Sequence, residues 1–461
     1  MSRGGRPSVA ISRPPATHRV IPASGVPAST TDKSTSADDS KISDDASTST
    51  REETVLFCID RSNNCKIGLP PAAEEDNYHL RAMELGNLGN VSHVFFNPRG
   101  EMFVVREHEL FKGPTPSARW SDWFQLAKCV GRGIWDQFKF LSFSPGGILY
   151  AVTKAGAFYK GPEPNNKHVS WLHKQATKLG GRDWQYFDVL FFDPEGIMYV
   201  ILRGALLKNP PVTNILGEWV TQSVNVGKSG WDKYSHFMGF SSEGDLWCVS
   251  RNDGVMYSAP PPTHRNDRWV ERAKRMGSDY RTYKHMKFTH DKTIQKILRL
   301  DFLLDSGEVL ETHPEVVALQ EYDNKDSTSP LKCTFEIDKT CIVETQFTHE
   351  HGFEIGFEAE TTFTAKIPLV GEGGARVAAS TSTSHTWNFT DINRIETHYK
   401  TSSTFELAAG KAVRQKGVVK KAVIDVPYTA EVLTVFGYKT TVSGMWKGAC
   451  FFNLSVRQED M

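Results

Sequence analysis

Three pentapeptides end in tryptophan after a glycine-bearing turn: GRGIW at Trp135, GGRDW at Trp184 and GKSGW at Trp231. A phenylalanine follows each (Phe138, Phe187 and Phe237), and two of the indoles are followed at once by a carboxylate, Asp136 and Asp232. Flat apolar rings beside a few placed polar groups suit the C–H face of a pyranose: the ring face supplies contact, and the polar group fixes orientation. These eight residues form the candidate sugar-binding set. The plainer role for the same rings is core packing between repeated units, the commoner one for any single tryptophan.

A second set of residues suits a membrane. Along 353–369 the odd positions are Phe353, Ile355, Phe357, Ala359, Thr361, Phe363, Ala365, Ile367 and Leu369, whereas the even positions carry Glu354, Glu358, Glu360 and Lys366. The returning stretch alternates too, with Val377, Ala379, His385, Trp387 and Phe389 on one face and Arg376, Ser380, Ser382 and Ser384 on the other. Period two places the sets on opposite sides of a strand, the pattern of a transmembrane barrel strand with lipid-facing apolar and lumen-facing polar positions. Each arm exceeds the roughly 9–11 residues a tilted strand needs to cross hydrocarbon. Ile367, Pro368, Leu369 and Val370 are the expected membrane-inserting tip, near the surface beforehand. Glu354, Glu358, Glu360, Lys366 and Arg376 are the expected pore-lining charges. A lone hairpin leaves backbone groups unpaired in lipid, so several copies must close a barrel together. An ordinary half-buried hairpin is the alternative.

The elements that must position these residues repeat. FFNPRGEMFVV from Phe95, SFSPGGILYAV from Ser142, FFDPEGIMYVI from Phe191 and GFSSEGDLWCV from Gly239 are copies of one strand–turn–strand unit, and their turn glycines (Gly100, Gly147, Gly196, Gly244) are 47, 49 and 48 residues apart. A second strand ending in proline follows each, then a tryptophan: Trp120 or Trp123, Trp171, Trp219 and Trp269. A period in the high forties with about four strands per unit predicts a β-propeller. TVLFCIDRSNNCKIGLPP from Thr54 matches the later half of a unit and YKHMKFTHDKTI from Tyr283 the missing earlier half. Five blades follow, with the last stretch completing the first sheet and closing the ring. Residues 1–52, rich in Ser, Thr, Pro and Asp, are expected to be disordered. From residue 295 the repeats stop and long period-two alternation begins, predicting an elongated antiparallel β domain. The fold class is all-β: a five-bladed propeller over 53–294 and a β domain over 295–461.

The repeats resemble the tachylectin-2 family of five-bladed lectins. That resemblance rests on the aromatic-Pro-x-Gly turns, the LFKGP and FYKGP strands and the tryptophan steps, and it implies binding of N-acetylglucosamine or N-acetylgalactosamine glycans. The fifth unit departs, with Ser242 for the turn proline and Ser258 for the strand lysine. KIPLVGEGGARVAASTSTSHTW resembles the insertion loop of the aerolysin family, and HPEVVALQEYDN and DVPYTAEVLTVFGYKTTVSG resemble its surrounding strands. This second resemblance implies a monomer that assembles on a membrane surface into a homo-oligomeric ring, often a heptamer, and threads a β-barrel. Ile367 stands where some members carry an aromatic.

Composition narrows the rest. Of 461 residues, 54 are Lys or Arg and 54 Asp or Glu, so the formal charge is zero, which argues against nucleic acid as a partner. No P-loop, HExxH or GxSxG is present, and GEGGAR at Gly371 lacks a following helix. Catalytic residues, metal ligands and cofactors are therefore not expected; HEH at His349 reads as a turn. Seven cysteines show no CxxC spacing; Cys58/Cys65 and Cys333/Cys341 are close enough in sequence to bridge in an oxidising compartment, with buried thiols the commoner outcome. Without an apolar leader the expected location is soluble, either cytoplasmic or released by a non-classical route, with action at membranes. The expected function is glycan-guided pore formation, not enzymatic; the alternative is a non-lytic, agglutinating lectin.

Overall fold

The computed structural model describes residues 54–114, 116–120, 122–211, 219–349, 353–371, 374 and 376–461. The region expected to be disordered, 1–52, and most of the HEH turn lie outside the described residues.

Five four-stranded antiparallel sheets fill the N-terminal part. Sheet one orders Tyr283–His290, Thr54–Asp60, Asn64–Gly68 and Met83–Asn87; sheets two to five begin with His93–Phe96, Phe138–Phe143, Phe187–Phe192 and Phe237–Phe240. The first strand of sheet one thus comes from the far end of the repeats. Its neighbour Thr54–Asp60 is otherwise an edge, and pairing all along it removes that liability. The first strands touch in cyclic order, one to two, two to three, and finally five to one, a propeller-like arrangement.

Four of the five interfaces between sheets hold a repeated tryptophan: Trp123, Trp171, Trp219 and Trp269. The indole N–H groups of Trp171, Trp219 and Trp269 donate to the carbonyls of Pro162, Pro210 and Pro260 at 2.7, 2.9 and 2.8 Å, in each case nine residues earlier. This bond ties the proline-ended strand to the next turn and satisfies the one polar atom of a buried indole. In sheet one Tyr78 replaces the tryptophan, with its hydroxyl donating to Leu56 O at 2.6 Å.

Beyond residue 292 the strands lengthen. A seven-stranded sheet is built on Ala412–Thr434 and Lys439–Asp460, of 23 and 22 residues, joined to Thr293–Phe302, Glu308–Asp323, Leu331–His349, Glu354–Glu360 and Asn393–Leu407. Thr362–Val370 and Val377–Asn388 form a separate two-stranded sheet. The turn joining the two longest strands seats on the five-sheet part. Phe436 and Tyr438 pack on the core between sheets one and two, and Phe436 N donates to Asp291 Oδ2 at 2.9 Å.

Of the two outcomes for the cysteine pairs, the structure has the commoner one, free thiols. Cys58 lies opposite Lys66 and Cys65 opposite Ile59, so the two thiols enter different inter-sheet cores. Cys333 and Cys341 sit eight residues apart on one extended strand, roughly 26 Å of chain, far beyond disulfide reach. All seven cysteines are free thiols.

Candidate sugar-contacting loops and membrane hairpin

The three G-x-x-x-W steps are built by close packing of an indole on a glycine. A side chain at Gly131, Gly180 or Gly227 would collide with Nε1 of Trp135, Trp184 or Trp231. Each of these indoles then meets the tryptophan of the same sheet that follows the proline: Trp135–Trp171, Trp184–Trp219 and Trp231–Trp269, with ring centroids 5.7, 5.6 and 5.5 Å apart. A fourth pair with the same relation, Tyr78–Tyr280 at 6.1 Å, occupies the closure of sheet five on sheet one. Sequence reasoning missed that pair because tyrosine stands in place of tryptophan.

This packing corrects the expectation that the rings present open faces. Trp135, Trp184 and Trp231 are 3, 7 and 6 % exposed, and Phe138, Phe187 and Phe237 are 1, 2 and 5 % exposed. They are inter-sheet core. The polar members stand outside it. Asp136 Oδ1 lies 2.8 Å from His108 Nδ1 across the gap between sheets two and three, and Gln137 Nε2 donates to its Oδ2 at 3.0 Å. The His108 hydrogen bond holds the Asp136 carboxyl below the usual carboxylate range and raises the imidazole above its own. A second ion pair, Arg132–Glu109 at 2.9 Å, joins the same two loops. Asp232 is exposed beside Gly204, whose carbonyl accepts the Trp231 backbone N–H at 3.0 Å. Tyr186, 60 % exposed in the Trp184 loop, is an open ring that sequence reasoning overlooked. Its only signal was an aromatic between Trp184 and Phe187.

The hairpin is amphipathic and turned inward. Phe363, Ile367, Val370, Val377, Trp387 and Phe389 belong to the core of the β domain, with Trp387 wedged 5.6 and 5.8 Å from Phe347 and Trp446. Thr362, Thr364, Lys366, Arg376, Ala378, Ser384 and Thr386 face solvent. Among the described residues neither of its strands forms a ladder with the large sheet, so side-chain packing holds it down. A cleft of about 490 Å³ separates strand Thr362–Val370 from Thr293–Phe302, lined by Leu298, Arg299, Phe302, Leu304, Thr364 and Lys366 among others. No helix among the described residues is long and apolar enough to cross a membrane.

Two expectations about the hairpin are corrected. The tip is not near the surface: Ile367 and Val370 are 8 and 9 % exposed, Pro368 is buried and Leu369 half-buried against the core. The outgoing arm is not continuous either. It breaks at Thr361, and Glu354–Glu360 pairs in parallel with Thr293–Phe302, with Glu358 in the left-handed region at φ 56°. Glu354, Glu358 and Glu360 therefore lie outside the hairpin, while Lys366 and Arg376 lie on its exposed face. Glu360 pairs with Lys296 at 2.5 Å; burial, reinforced by Glu101, raises the Glu354 carboxyl. Within the hairpin the ladder slips between Lys366, opposite Ser384, and Pro368, opposite Ala379. That slip switches the buried parity from Phe363 and Ile367 to Pro368 and Val370.

Comparison with known proteins adds the following. A family model described as Tachylectin matches residues 58–285. Among solved structures, the chain is similar to a symmetrical protein described in terms of de novo evolutionary emergence shaped by folding constraints, at 29 % identity over 51 % of this chain and 98 % of that one, TM-score 0.46. It is similar to the lamprey immune protein at 12 % identity over 89 % and 93 % of the two chains, TM-score 0.32. Similarity to an aerolysin-like protein of Bombina maxima, at 12 % identity, covers 35 % of this chain and 97 % of that one, TM-score 0.23. No curated protein matches. The five-sheet part of this chain, over residues 58–285, is a member of the Tachylectin family.

Proposed function

We propose that the protein is a glycan-guided pore former: a five-bladed propeller binds N-acetylated hexosamines on a membrane surface, and the hairpin Thr362–Asn388 inserts after homo-oligomerisation into a ring. The observation that carries this reading is the hairpin itself, an amphipathic two-stranded sheet whose apolar face is stowed on the body without a ladder. Burial of each large apolar side chain is worth roughly 1.5–3 kcal/mol. Lifting the hairpin into water would forfeit that for six residues. Transfer from core to hydrocarbon conserves it, so the hairpin is held until lipid is at hand. In the inserted barrel Phe363, Ile367 and Trp387 face lipid, and Thr364, Lys366 and Ser384 face the lumen. The family match of residues 58–285 and the cyclic contacts of five sheets support the propeller reading. The sugar sites we place at the loops between sheets, around Asp136 with His108, around Tyr186, and around Asp232, with the buried tryptophans as their scaffold.

The test is dye release from vesicles with and without a glycolipid ending in N-acetylglucosamine or N-acetylgalactosamine. Release confined to the glycolipid vesicles is expected. Clumping of those vesicles without release would instead support a non-lytic lectin.

A further inference from the structure

The base of the hairpin changes character within two residues. Phe363 lies opposite Trp387 in the ladder, and Thr362 opposite Asn388. The rings of Phe363 and Trp387 share the apolar face and are both buried, as is Phe389, two residues beyond Trp387 on that face. His385, two residues nearer the tip, sets its ring 4.6 Å from that of Trp387. The hairpin's rings are collected at its base; toward the tip the same face carries Ile367, Leu369, Val370 and Val377.

Directly beyond the rings is a polar knot. Asn388 Oδ1 accepts from Thr361 Oγ1 at 3.1 Å and from Thr390 Oγ1 at 2.8 Å, and Asn388 Nδ2 donates to Asp391 Oδ2 at 2.6 Å. Asn393 Nδ2 donates to Asn388 O and Asn393 Oδ1 accepts from Asn388 N, both at 2.7 Å. Such a cluster, with the Asp391 carboxylate in it, is expensive to carry into hydrocarbon. Aliphatic residues, then aromatic rings, then polar groups is the order met on leaving a bilayer through its headgroup layer.

The lengths agree with that order. Thr362–Val370 and Val377–Asn388 have 9 and 12 residues, and the Phe363/Trp387 pair sits one residue from the base end of each. From the pair to the tip is therefore close to the roughly 9–11 residues a tilted strand needs to cross hydrocarbon. The rings also need new cover once the hairpin lifts. Trp387 packs on Phe302, Phe347 and Trp446, with centroids at 5.9, 5.6 and 5.8 Å, and all three stay with the body. An indole has an apolar body and a polar N–H, here donated to Ala365 O at 3.2 Å, and suits a layer that is dry at one end and wet at the other.

We propose that Phe363, Trp387 and Phe389, with His385 beside them, form an aromatic belt that seats in the headgroup layer of the leaflet the hairpin enters, and that the Thr361–Asn388–Asn393 knot stops insertion there. The belt rests on the hairpin-insertion reading above and adds its depth: the tip crosses, and Glu354–Glu360 stays outside the bilayer.

The experiment uses the full chain on phosphatidylcholine vesicles that carry the glycolipid, with bromines placed on the acyl chains either near the headgroup or near the chain end. Trp387 is the only tryptophan of Thr362–Asn388, so the emission lost between wild type and Trp387→Phe reports its depth. That lost part is expected to be quenched more strongly by the bromines near the headgroup, and Trp387→Phe, which keeps a ring, is expected still to release dye. Stronger quenching by the bromines near the chain end overturns the belt. So does quenching that is equal in wild type and Trp387→Phe on leaking vesicles. Should Trp387→Phe fail to fold, the wild type alone decides by the same ordering, since the other tryptophans stay with the body. Vesicles that do not leak at all reject the insertion reading and the belt with it; leaking vesicles with the reverse ordering reject the belt alone.

Discussion

An indole packed on a glycine leaves no freedom on either side, so the G-x-x-x-W steps specify a packing. The residue types alone could not separate that role from a sugar platform, because both need an exposed-looking aromatic after a turn. What separates them is the second tryptophan, nine residues past a proline, which covers the first. Trp171→Phe keeps the ring but strands Pro162 O and removes the 2.7 Å bond; unfolding in urea is expected to show a loss of about 1–3 kcal/mol. The polar rim gives a second prediction. Asp136 is held low and His108 high by their mutual hydrogen bond. The raised His108 stabilises the fold fully below its ordinary imidazole pKa, and that contribution is lost as pH rises through its raised value. The depressed Asp136 contributes above the ordinary carboxylate pKa, and that is lost as pH falls through its lowered value. The pair is therefore intact in the window between. A proton resonance titration of His108 is expected to show its midpoint dropping in Asp136→Asn. An unchanged midpoint would mean the two side chains do not meet in solution.

At the scale of elements, the alternation of the hairpin was legible and its interruptions were not. Period two reports which side of a strand is apolar, and Phe363, Ile367, Trp387 and Phe389 all turn inward as the pattern requires. The break at Thr361 and the slip at Pro368 depend on what lies alongside: the parallel partner Thr293–Phe302 captures Glu354–Glu360, and proline has no N–H to continue the ladder. Burial of the tip changes what a tip mutant does. In Leu369→Asp/Val370→Asp the carboxylates meet the core, and a loss on the order of 1–3 kcal/mol at Val370 is expected in thermal melts. Dye release should also fail, since each carboxylate must cross hydrocarbon at roughly 2–4 kcal/mol. A double mutant that leaks as fast as the wild type would remove these residues from the crossing segment. Pore charge gives another check. If Glu354–Glu360 joins the barrel, three carboxylates face two cations, Lys366 and Arg376, in each subunit, and a mild cation preference follows. Reversal potentials under a salt gradient measure it; strong anion selectivity would contradict that assignment of faces.

At the scale of the whole molecule, the closing strand of sheet one runs directly on into the β domain, and the Phe436–Tyr438 turn seats back on sheets one and two. The five-sheet part and the β domain are thus attached through a packed joint rather than a loose linker. The order of five repeated sheets was legible because copies of one unit announce themselves; the seat was not, because a single turn from distant sequence has no repeat to reveal it. Phe436→Ala/Tyr438→Ala is expected to lower the melting temperature while leaving calorimetric binding of N-acetylglucosamine or N-acetylgalactosamine intact, and no binding by the wild type would end the glycan half of the account. The central claim, that the stowed hairpin must leave the body to make a pore, is tested most directly by tethering it. Gly307 lies against the hairpin, where an added Cβ would stand 3.0 Å from Val377 Cβ, close to disulfide spacing. In Gly307→Cys/Val377→Cys the measurement is dye release from glycolipid vesicles before and after reduction. The account predicts none while the bridge is closed and release at the wild-type rate once it is reduced. Equal release in both states would contradict it.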